Sequence, residues 1–179
     1  MHERAMIRRG LFGLALTTIV LFGGTHSATA LAEPSGDLTG TWTLTVAPQA
    51  KPPEVPVPPP PFTALFSFAE GGTITETDTA LHPAGSVFIT PDLGPFGASD
   101  GLGAWKRTDH NRFTGRFVKI LFRDGEQAGW VITRLKITVR EDTIELRGDS
   151  NIVVGPDPDA PPVFSGGITL AKGARLPAR

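Results

Sequence analysis

Eight segments of this chain alternate apolar and polar residues with period two, and no stretch keeps helical periodicity for longer than two turns. Thr39-Gly40-Thr41-Trp42-Thr43-Leu44-Thr45-Val46 sets the pattern, with Trp42, Leu44 and Val46 facing one way and the threonines the other. Residues 62–69 and 73–77 are predicted to form a hairpin about Gly71-Gly72. Residues 102–108 turn at Asp109-His110-Asn111 into 112–122, and Asp124-Gly125, the strongest hairpin signal present, leads to 129–139. A turn at Arg140-Glu141-Asp142 precedes 143–154, and 163–172 ends the series. Successive antiparallel strands on short turns predict an all-β, up-and-down meander of about eight strands. Closure into a barrel would leave no unpaired edge. An open β-sandwich is the alternative.

Two insertions interrupt the meander. Residues 48–61 hold eight prolines and are expected to run as extended polyproline II. Residues 78–100 form a second long loop with Pro83, Pro91 and Pro95, in which Ser86-Val87-Phe88-Ile89 reads as a short extra strand. Counting strands alternately up and down places both insertions at one end of the barrel, the expected mouth.

The first thirty-two residues read differently. Arg4, Arg8 and Arg9 precede an apolar run over 11–22, followed by Ala28-Thr29-Ala30 and the overlapping Ala30-Leu31-Ala32. A basic start, a short apolar core and an A-x-A site describe a secretory signal peptide over 1–32, cut after Ala30 or Ala32. The apolar run is too short to span a bilayer of about 30 Å, so no stable membrane anchor is expected after cleavage. The expected product is one exported domain over 33–179, periplasmic or secreted. Arg8-Arg9 leaves the Sec and twin-arginine routes both open.

Without the leader, 14 basic and 17 acidic residues remain, a net charge of −3. That balance argues against nucleic acid, which calls for a basic stripe. The chain has no cysteine, which rules out disulfides, thiol chemistry and a lipobox anchor. Only His82 and His110 lie beyond the leader, one in a loop and one in a turn, a poor basis for a metal centre. No metal and no cofactor is called for, and oligomeric state is left open.

Gly40-Thr41-Trp42 in the first strand of an exported eight-stranded meander resembles the lipocalin-like, calycin-type barrels. The resemblance implies that Gly40 and Trp42 belong to the barrel floor, and that a late basic residue, Lys172 or Arg175, packs across the tryptophan. The segments Phe66-Ser67-Phe68-x-x-Gly71-Gly72-Thr73 and Gly101-Leu102-Gly103-Ala104-Trp105 are similar to a group of uncharacterised exported bacterial barrels. The allene oxide cyclase-type barrel is a more distant likeness, and no catalytic residue is carried over from it.

An eight-stranded barrel can be filled by side chains or can hold one small ligand. The expected function is binding of a small hydrophobic molecule in the interior or at the mouth, with Trp105, Phe66, Phe117 and Trp130 as apolar lining. The charged candidates are Glu76, Arg116 and Arg134. If Arg116 or Arg134 entered the cavity beside Glu76, a buried ion pair would orient a polar ligand group. The plainer expectation is that Arg134, Lys136, Glu145 and Arg147 form cross-strand pairs in solvent. A cyclase or isomerase using the same cavity, or an envelope-associated interaction protein without ligand, are the alternatives.

Overall fold

The computed structural model describes residues 37–50, 58–79 and 96–177, and the leader call over 1–32 lies outside them. So do the extra strand expected at 86–89 and residues 51–57 of the proline-rich segment. The described chain is all β. Its strands are β1 (Gly40–Pro48), β2 (Phe62–Phe68), β3 (Thr73–Asp78), β4 (Gly97–Ala98), β5 (Gly101–Asp109), β6 (Arg112–Arg123), β7 (Glu126–Arg140), β8 (Thr143–Val154) and β9 (Phe164–Arg175).

Each long strand pairs antiparallel with its neighbour in sequence, β9 returns to β1, and β6–β7 pairing completes the circuit. The result is a closed eight-stranded up-and-down barrel, with the two-residue β4 added beside the end of β6. Closure, rather than a sandwich, gives each of the eight long strands a neighbour on both sides.

Local chemistry accounts for the turns. Asp124 and Gly125 both have positive φ, 54° and 84°, as a type I′ hairpin demands. Gly72, at φ 81°, reverses the chain between β2 and β3, and Glu141, at 53°, does so between β7 and β8.

Alternation sends one residue set inward. Trp42, Leu44, Phe66, Phe68, Ile74, Phe113, Ile137, Val139 and Ile144 are all buried in the main core, toward the end with the short hairpins at 69–72, 110–111 and 141–142. The floor lies there. Trp42 is fully buried and its Nε1–H donates to Leu38 O at 2.9 Å. The Arg175 guanidinium lies 4.4 Å from the centre of the Trp42 ring and donates to the carbonyls of Thr39 and Asp37. Of the two cations that the resemblance offered for this place, Arg175 fills it; Lys172 faces outward and pairs with Glu145 at 2.9 Å. A smaller apolar cluster of Phe96, Leu121, Val131 and Ile152 lies toward the opposite end, where β1, β3 and β8 finish. Both long connections leave from that end, as the alternating strand directions require.

Candidate functional site

Between the two apolar clusters lies a belt of polar side chains facing the bore. On β3, the period that buries Ile74 also turns Glu76 and Asp78 inward. On β6, the inward set Phe113, Phe117 and Leu121 carries Lys119 with it. Lys119 Nζ sits 2.7 Å from Glu76 Oε2 and 2.6 Å from Asp78 Oδ2, and the three side chains are no more than 5 % exposed.

β3 and β6 are not neighbours; β5 runs between them. The contact is made across β5 because its inward positions there are Gly101 and Gly103. Gly101 is the register partner of Glu76, and a Cβ on it would stand 2.9 Å from Glu76 Oε2 and 2.7 Å from Phe117 Cδ2. The missing side chain is the space through which carboxyl and ammonium meet.

Burial dominates the electrostatics of Glu76. Loss of solvent pushes its carboxyl up to about 8, despite the opposing pull of Lys119, while Asp78 adds to the rise. Near neutral pH the acid is therefore mostly protonated, which leaves Lys119 and Asp78 as the ionic contact. A cluster of zero net charge is the arrangement that an apolar barrel tolerates best. Glu76 Oε2 is held by its ion pair with Lys119. Among the described residues it is the buried side-chain polar atom that lacks a hydrogen-bond partner.

The cluster borders a cavity of about 60 Å³. Phe62, Phe66, Phe117 and Leu146 supply apolar wall, and Thr133, Ser150 and Thr169 face the acids from β7, β8 and β9. The Thr133 and Ser150 hydroxyls share a hydrogen bond of 2.9 Å. On either side of the cavity lie the two buried apolar clusters.

Of the candidates read from sequence, Phe66, Phe117 and Glu76 come together here. Trp105 points inward but near the floor, against Phe68 and Phe113, with its Nε1–H donating to Ala69 O at 3.1 Å. Trp130 lies on the outer surface, where its Nε1–H donates to Pro156 O at 3.1 Å. Arg116 and Arg134 also face outward, directly opposite one another on β6 and β7, and neither reaches Glu76. The cation beside Glu76 is Lys119. The expected pairing of Glu145 with the β7 cations gives way to its bond with Lys172. Lys119 and Asp78 were legible in principle. Lys119 shares a phase with Phe117 and Leu121, and Asp78 shares one with Ile74 and Glu76.

The barrel is compatible with a lipocalin-like fold. No protein-family model and no curated protein matches the chain.

Proposed function

We propose that this chain is a small-molecule-binding barrel whose ligand sets a polar group against Glu76 and Lys119 and lays its apolar part among Phe62, Phe66 and Phe117, toward the end bearing the long loops. The observation that carries this reading is the buried Glu76 carboxyl, whose Oε2 is ion-paired with Lys119 but has no hydrogen-bond partner, beside a cavity with mainly apolar walls. Buried ionisable clusters are costly to assemble, and one that borders empty space has an atom left to offer. The cavity exceeds the roughly 30 Å³ share of one water but takes only a small group. A ligand of any length keeps its body at the mouth. With the leader-like segment over 1–32, the same reading places the protein outside the cytoplasm.

The test is titration of the full chain with decanol, decanone and decane, followed by tryptophan fluorescence and calorimetry. Saturable 1:1 binding of the two oxygenated compounds, at least about tenfold tighter than decane and lost in Glu76→Leu, is the expected result. Equal binding of decane, or no binding across the panel, would overturn it.

A second reading, isomerisation or cyclisation in the same cavity, is favoured by one observation: a carboxyl held near pH 8 can give and take a proton under neutral conditions. Such a reaction changes a bound compound's retention in chromatography without changing its mass. That conversion should occur with the parent chain and stop with Glu76→Gln.

A further inference from the structure

The outer surface of β5 to β8 carries a second feature, independent of the barrel interior. Lys106, Arg116, Arg134, Lys136 and Arg147 all project outward and are exposed, and together with Asp149 they line an open groove of about 850 Å³. The registers make the arrangement unfavourable for the fold alone. Arg116 stands directly opposite Arg134, and Lys136 directly opposite Arg147. Like charges in opposite cross-strand positions destabilise a sheet. Arg134 has Asp149 as its register partner, yet none of the five cations forms an ion pair among the described residues. Five cations and one acid thus share a concave face on a chain whose net charge is −1.

We propose that this groove binds a small molecule bearing several phosphate or sulfate groups. The occupant must be anionic, because only opposite charge relieves the repulsion between the paired cations. Three of the five are arginines, whose planar forks match tetrahedral oxyanions with paired hydrogen bonds. The groove volume falls in the range of small-ligand pockets, roughly 300–1,000 Å³. A concave face fits a flat bilayer poorly. A single-stranded nucleic acid would need bases stacked on aromatic rings, and the tryptophan bordering the groove, Trp105, turns its ring inward against Phe68 and Phe113.

The experiment titrates the full chain with inositol hexakisphosphate by calorimetry at two salt concentrations, with vesicles of anionic phospholipid as a second arm. Expected are 1:1 binding that weakens with salt, and a loss of at least about tenfold in the Arg116→Gln/Arg134→Gln double variant. Glu145→Gln, outside the groove, should bind as the parent does. The double variant should melt at the same temperature as the parent or higher, since it removes a repulsion. Absent binding, undiminished binding in the double variant, or association with vesicles alone would overturn the assignment. So would a fall in melting temperature, which would show that the arginine pair supports the fold.

Discussion

Lys119 on β6 and Glu76 on β3 meet at 2.7 Å across a strand that lies between them, because that strand presents glycine at the crossing point. Neither residue is a sequence neighbour or a register partner of the other. Their contact depends on barrel curvature and on an empty position at Gly101.

Removing the cation alone should be costly. Lys119→Met leaves the buried Asp78 carboxylate beside Glu76 without a counter-charge, and the expected loss is about 3–5 kcal/mol of unfolding free energy. The triple change Lys119→Met/Glu76→Gln/Asp78→Asn should recover much of that loss, since no charge is then left buried. Urea denaturation of the two variants measures the difference directly.

The Glu76 carboxyl also sets a pH dependence with a definite sign. Its folded value of about 8 lies above the unfolded 4.5, so between these two pH values the folded state holds more protons. This group's contribution to stability is therefore fully present below about pH 4.5 and is lost as pH rises toward about 8, with a slope of at most about 1.4 kcal/mol per pH unit. Lys119 and Asp78 face the same carboxyl from β6 and β3. Glu76→Gln should flatten the profile across this window, as read from denaturation midpoints at several pH values. An unchanged slope in Glu76→Gln would show that another group is responsible.

Gly101→Ala tests the crossing. The added methyl group would press on Phe117 Cδ2 and Glu76 Oε2, and overpacking of this kind costs about 1–3 kcal/mol. The same change should weaken decanol binding more than Gly125→Ala does, because a Cβ at Gly125 meets nothing within 4 Å and pays only for its positive φ of 84°.

At the floor, Arg175→Lys should not behave as a conservative change. The lysine keeps the charge but loses the planar fork that covers the Trp42 ring and reaches two carbonyls at once. A loss of about 1–3 kcal/mol is expected, against about 3–5 kcal/mol for Trp42→Ala, which empties a fully buried site. Thermal melting of the two variants supplies the comparison.

Much of this architecture was open to a reader of the sequence. The alternation through Trp42, Leu44 and Val46 marked the inward face of β1, and Asp124-Gly125 marked a hairpin whose two positive φ angles the structure reproduces. Glu76, Phe66 and Phe117 were named as lining, and all three border the cavity. Arg116 and Arg134 were the candidates for the partner of Glu76, and Lys119 was not among them.

What the sequence determined by itself is local. Side-chain alternation with period two and turns that need positive φ act within a few residues, so strand number and strand phase follow from them. Only the tertiary structure decided that Lys119, rather than an arginine, meets Glu76, and that Arg116 faces Arg134 on the outside. The second outcome comes from the β6–β7 hairpin and the bulge between Leu121 and Phe122 that shifts its register; the first depends on how far β3, β5 and β6 are offset when the sheet closes. That offset is a property of the whole barrel, and no segment of the chain encodes it alone.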